Sequence, residues 1–186
     1  MNATKIIYEN PWLLKAVDEF GSNLLIDIID VSSIEFVKFL LSKGSDVNFV
    51  SGDGESCVSV LIESKNDVAI ENDYMPKAEY LLAEGYNVNR KIEYDRTVLH
   101  IAALRGLGNF ISLFLRFGAD IDALDFDDET PLILAARNGH FYVYDCLVQN
   151  GADEFIKGEL GTCARTEKKI YRKLEKLYRK NRKVNS

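Results

Sequence analysis

Thr97-Val98-Leu99-His100-Ile101-Ala102-Ala103 and Thr130-Pro131-Leu132-Ile133-Leu134-Ala135-Ala136 are one pattern written twice, with a period of about 33 residues. The match runs outward from both copies. Gly106 aligns with Gly139, and Phe117-Gly118-Ala119-Asp120 aligns with Asn150-Gly151-Ala152-Asp153. Counting back from Gly118 by the same period lands on Gly85, in Leu81-Leu82-Ala83-Glu84-Gly85-Tyr86-Asn87-Val88-Asn89. A further ending, Leu40-Leu41-Ser42-Lys43-Gly44-Ser45-Asp46-Val47-Asn48, precedes that one by a longer step, whereas the openings Asn23-Leu24-Leu25 and Ser56-Cys57-Val58 keep the regular period. The surplus therefore falls inside the second unit, and Lys65 to Tyr74 is where it is expected. A unit this short cannot bury an apolar face alone, so stacking on its neighbours is what folds it.

Each unit reads as helix, turn, helix and projecting turn. Thr97 and Thr130 suit the start of the first helix, where a hydroxyl accepts from unpaired N–H groups, and Pro131 suits the first helical turn, which needs no N–H. Ser32 and Glu35 are a candidate capping box for a second helix. Phe36 with Leu40, Phe110 with Phe114 and Val143 with Leu147 are apolar pairs four positions apart, the spacing of one buried helix face. Gly44, Gly85, Gly118 and Gly151 mark the ends. Asn10-Pro11 followed by Trp12 to Val17 reads as a capped helix, with Trp12 expected to shield the first unit.

The Thr-Pro-Leu-His pattern, shared between Thr97–His100 and Thr130–Leu132, together with the Ala-Ala pair and the Gly-Ala-Asp ending, resembles ankyrin repeats over residues 20–158, most specifically in the last two units. The resemblance implies an all-α solenoid of about four helix-turn-helix repeats with a capping helix at each end. Its expected parts, within one domain 1–186, are an N-terminal cap (1–19), repeats at 20–51, 52–92 with the insertion, 93–125 and 126–158, and a basic C-terminal capping helix (159–186). Ile28-Ile29 and Leu61-Ile62 replace the Ala pair, which predicts irregular packing in the first two units. Glu154 replaces the aliphatic residue of Val47, Val88 and Ile121, which predicts that the last hairpin does not form.

Composition narrows the function. With 186 residues, 47% apolar and 28% charged, the chain suits one elongated domain. Residues 165–183 hold ten basic side chains against Glu167 and Glu175, a balance of +8; as the chain totals −6, the remainder carries −14. An acidic body with a basic tail makes electrostatics the main clue to partner type. No leader and no apolar run of the ~18 residues that span a bilayer are visible, so a cytoplasmic location is expected, with secretion by a leaderless route left open. Cys57, Cys146 and Cys163 lack paired spacing and read as free thiols.

Catalytic constellations are not found. His100 and His140 occupy positions that the repeat pattern already explains, and no His/Cys cluster has metal-ligand spacing. Gly106-Leu107-Gly108 lacks the remainder of a phosphate loop, and Asp125-Phe126-Asp127-Asp128-Glu129 lacks the regular glycine and distal glutamate of a calcium loop. The chain is therefore expected to be no enzyme, with no catalytic residue, cofactor, metal or small-molecule substrate.

The resemblance instead implies a recognition strip built from turn tips and exposed first-helix positions. Those positions are Glu19, Phe20, Ser22, Asp30 and Val31 in the first unit and Gly52, Asp53, Glu55, Glu63 and Ser64 in the second. They are Glu93, Tyr94, Arg96, Leu104 and Arg105 in the third, and Phe126, Asp127, Glu129, Arg137 and Asn138 in the fourth. The strip is acidic, with Tyr94 and Phe126 as aromatic anchors, a composition expected of a protein interface. A monomeric interaction module follows, one that binds and blocks a basic protein. Small free-standing ankyrin proteins also resemble bacterial immunity proteins and secreted host-targeting effectors or scaffolds. The tail carries Ile170, Leu174 and Leu177 at helical spacing, a stripe expected to seal the last unit. The alternative use of the tail is to grip a polyanion, nucleic acid or anionic membrane; nucleic acid is disfavoured by the acidic body and the absence of a recognition motif.

Overall fold

The computed structural model describes residues 3–63 and 73–184, the stretch from 177 onward by backbone alone. Among them are ten α-helices and no strand. The chain divides into two compact units, Met1–Glu93 and Tyr94–Ser186.

The first unit holds α1 (Ala3–Glu9), a 3-10 turn (Pro11–Leu14), α2 (Leu24–Ile28), α3 (Ile34–Ser42), α4 (Cys57–Glu63) and α5 (Met75–Ala83). Leu25, Ile29, Val37, Leu40, Val58, Leu61, Ile62, Ala78 and Leu81 form its core. Asn23 opens α2 by accepting from the Ile26 N–H at 3.0 Å. Ser33, not Ser32, opens α3, accepting from the Phe36 N–H at 3.4 Å, and the Ser32 hydroxyl is buried without a partner among the described residues. The expected helix at Pro11 is a single 3-10 turn whose buried residue is Leu14, while Trp12, expected as the shield, is 63% exposed. Lys77 is fully buried. Its Nζ donates to the carbonyls of Ile29 (3.0 Å) and Asp30 (3.3 Å), at the end of α2 where carbonyls lack intrahelical partners, and to Asp73 Oδ2 (3.0 Å). Of the insertion expected at 65–74, all but Asp73 and Tyr74 lies outside the described residues.

The second unit holds α6 (Val98–Arg105), α7 (Gly108–Arg116), α8 (Pro131–Arg137), α9 (Phe141–Gln149) and α10 (Ala164–Val184). Helix α6 packs on α7 and α8, and α8 packs on α9 and α10. The pairs Ala102-Ala103 and Ala135-Ala136 are fully buried where α6 and α8 pack, and Phe110 and Phe114 fill the space behind them with ring centres 5.7 Å apart. His100 closes the start of α6. Its Nδ1 accepts from the Thr97 N–H (3.1 Å), so its Nε2–H donates to the Glu129 carbonyl (3.0 Å). In α8 the Thr130 hydroxyl accepts from the Ile133 N–H at 3.2 Å.

Two expectations about the C-terminal end are overturned. The hairpin after Glu154 does form. Lys157 and Cys163 make the same antiparallel bridge as Val17 with Asn23 and Val50 with Ser56, and Gly158 N–H donates to the Thr162 carbonyl at 3.0 Å. Glu154 needs no apolar seat, because the Tyr144 hydroxyl donates to its carboxylate and Arg165 lies 4.0 Å away. The hairpin carries Cys163 to the place that Thr130 holds one period earlier, so α10 starts in the register of another unit's first helix.

Nor does the apolar stripe of α10 seal the unit. The face turned inward is polar: Lys168 Nζ sits 2.7 Å from Asp145 Oδ1 and 3.6 Å from the Tyr144 ring centre, and Glu167 meets Thr162 (2.7 Å) and Arg137 (3.6 Å). Tyr171 adds an edge-on contact to Phe141 at 5.2 Å. These contacts fix the helix's rotation. With the geometry of an α-helix they leave Ile170 and Leu174 roughly a quarter to a third of a turn away, 45% and 60% exposed. The Leu177 side chain lies outside the described residues.

Candidate partner-binding surface

The turn tip at residues 125–129 of the second unit is built by one buried carboxylate. Asp125 Oδ1 accepts from the N–H groups of Asp127 (3.0 Å) and Glu129 (2.9 Å), while its Oδ2 accepts from Arg96 Nε (3.2 Å). The loop is thereby folded over Asp125, and Phe126 is left pointing to solvent, 74% exposed. Its N–H donates to the Tyr94 carbonyl at 3.0 Å, tying it to the preceding tip. Tyr94 is 61% exposed, with the Arg96 guanidinium 5.5 Å from its ring centre. Its backbone has φ 55°, ψ 32°, the left-handed region that bulky residues rarely adopt. A third tip follows. Glu159 N–H donates to the Asp127 carbonyl at 3.0 Å, setting exposed Glu159 beside Asp127, with exposed Leu160 next along the chain.

Tyr94, Phe126 and Leu160 are thus exposed apolar side chains on three successive tips, which also carry the exposed carboxylates Asp95, Asp127, Asp128 and Glu159. Glu159 and Leu160 escape the sequence reading because Glu154 argues against a last hairpin. A signal is nonetheless present: Gly161 (φ 72°) falls one repeat period after Asp128 (φ 54°), the left-handed position of the previous tip.

Other positions assigned to the strip divide by environment. In the first unit Asp53, Glu55, Glu63, Glu93, Glu19, Phe20, Gly52 and Val31 are exposed and Asp30 is half-buried; Ser22 is buried, against expectation, because its backbone is drawn in by a 2.8 Å bond to Asp18 Oδ1. Ser64 lies outside the described residues. In the second unit Leu104 and Arg105 are half-buried, and Asn138 is exposed with Nδ2 bound to the Leu134 carbonyl at 2.9 Å. Glu129 is only 4% exposed and is withdrawn from the strip. Its carboxylate is gripped by both terminal nitrogens of Arg137, Nη1 at 2.8 Å from Oε2, and Arg137 also faces Glu167.

Both histidines have structural partners: His140 Nε2 meets the Leu104 carbonyl at 3.0 Å, and burial holds the His100 pKa below its ordinary 6.5. Among the described residues no group of three or more His, Cys, Asp or Glu side chains could hold a metal ion, and no helix is long and apolar enough to cross a membrane.

A family model for ankyrin repeats, spanning three copies, matches residues 67–157, and the chain belongs to the ankyrin-repeat family. It is 28% identical over 147 residues to a putative ankyrin repeat protein of fowlpox virus, covering 69% of this chain and 21% of that one. It is 35% identical over 115 residues to the mouse B-cell lymphoma 3 protein homolog (62% and 24%), and 39% identical over 135 residues to the protein VAPYRIN-LIKE of Medicago truncatula (71% and 27%). The chain spans about a quarter or less of the length of these relatives. Ankyrin repeats are generic modules of protein–protein interaction.

Proposed function

We propose that this chain is a non-enzymatic recognition module that binds a basic protein, and blocks the surface it covers, through the turn tips of its second unit. The observation that carries this reading is the row of outward aromatics. Tyr94 and Phe126 have no core to enter, are locked tip to tip by a backbone hydrogen bond, and are edged by carboxylates. Aromatic anchors supply binding energy when a partner desolvates them, while the surrounding charge speeds and selects the encounter. A basic toxin or enzyme held by an immunity or inhibitor protein is one form of this chemistry, and a basic host protein held by an effector or scaffold is another.

The test is differential capture. Immobilised wild type and a Tyr94→Ala/Phe126→Ala variant of equal melting temperature are exposed to the same lysate. Proteins of basic isoelectric point are expected to be retained by the first and lost from the second, each truncation costing more than about 1 kcal/mol, over roughly fivefold in Kd. Retention of the same set by both variants would exclude the tips as the binding site.

A further inference from the structure

Helix α10 has spent its polar face on the second unit. Lys168 is engaged with Asp145 and the Tyr144 ring, Glu167 with Arg137 and Thr162, Arg165 with Glu154, and Tyr171 with Phe141. What remains outward is the side with an apolar stripe, Ile170 and Leu174, next to the exposed cations Lys169, Lys173 and Lys176. Leu177 continues the stripe in the sequence, and Arg179, Lys180, Arg182 and Lys183 continue the charge. The helical backbone runs through Val184.

We infer that α10 is an interfacial helix that lies on an anionic lipid surface, Ile170 and Leu174 entering the headgroup–acyl boundary and the flanking lysines meeting lipid phosphates and carboxylates. Two observations together select this occupant. A nucleic acid would use the cations but has no place for an exposed leucine and isoleucine along the same side. An apolar protein groove would use the stripe but not a flank of exposed lysines. A helix with both, carrying a cluster of cations along its length, matches an anionic bilayer surface, where each basic group adds to the attraction and the buried apolar residues fix the depth. The site is separate from the turn tips, so the chain could hold its protein partner while resting on a membrane.

The experiment is co-sedimentation of the full chain with vesicles of phosphatidylcholine alone and of phosphatidylcholine with roughly 30% phosphatidylserine, at about 50 mM NaCl, where surface charge is weakly screened. Binding is expected to the anionic vesicles and not to the neutral ones. Ile170→Asn/Leu174→Asn and Lys169→Gln/Lys173→Gln/Lys176→Gln should each lower the partition at least about tenfold, while melting temperatures stay unchanged because all five side chains are exposed. Three results overturn the inference. These are no sedimentation with anionic vesicles, retention that Ile170→Asn/Leu174→Asn leaves unchanged, and tight binding to single-stranded RNA or duplex DNA without vesicle binding, which would assign the cations to nucleic acid.

Discussion

Removing Arg137 should destabilise the second unit before it affects any partner. The Glu129 carboxylate is shut off from water, its side chain 5% exposed, whereas the Arg137 side chain is 36% exposed. Breaking a fully buried ion pair costs about 3–5 kcal/mol, because the orphaned charge stays out of water. With one partner a third exposed, solvent screening reduces this to about 2–3 kcal/mol for Arg137→Ala. For a chain of this length that is a fall in Tm of roughly 4–12 °C. Adding Glu129→Gln removes the stranded charge and should restore at least about 1 kcal/mol, a coupling read directly from a double-mutant cycle in urea. Strictly additive losses, or an Arg137→Ala protein within about 0.5 kcal/mol of wild type, would refute the reasoning. Weaker partner binding at unchanged Tm would return Arg137 to the role its sequence position suggested.

Two further predictions concern titrating groups. Burial keeps His100 neutral in the fold and its pKa below 6.5, while the unfolded chain binds a proton there near 6.5; stability is therefore full above about pH 6.5 and falls as the pH drops. Tm measured from about pH 7.5 to 5.5 should decline more steeply in wild type than in His100→Gln, and equal slopes would contradict this. Among the thiols, burial pushes Cys57 up to about 12, whereas a hydrogen bond with the Thr166 hydroxyl lowers Cys163. Iodoacetamide at about pH 8 should modify Cys163 in the native protein and Cys57 only after unfolding, as followed by mass spectrometry; equal rates would mean that Cys57 is not enclosed.

The helical stack is legible in the sequence because its signals are local and periodic: Thr97, Thr130 and the Ala pairs state where each helix begins and how closely it packs. The tips are legible at Tyr94 and Phe126 for the same reason. What escapes are choices made by competing partners. The position of Glu129 reads as solvent-facing, yet Arg137, two helical turns on, draws it inward. Glu154 reads as a break in the aliphatic pattern, and only the fold shows that Tyr144 satisfies it. The stripe on α10 has the spacing of a buried face, but Lys168, Glu167 and Tyr171 find partners on α8, α9 and the final hairpin, and their contacts decide which side turns in. Spacing reveals that a helix has faces; it does not rank them.

The left-handed backbone at Tyr94 sets the recognition proposed for its side chain against robustness. A non-glycine residue there costs roughly 1–2 kcal/mol, and glycine would hold the same conformation without that cost. A laboratory selection that ranks variants by heat resistance would therefore favour glycine at position 94 and discard the proposed aromatic anchor without any sign of harm. If the tips bind as proposed, melting temperature is the wrong fitness measure for engineering this chain, and an alignment of its thermostabilised descendants would record where binding had been given away.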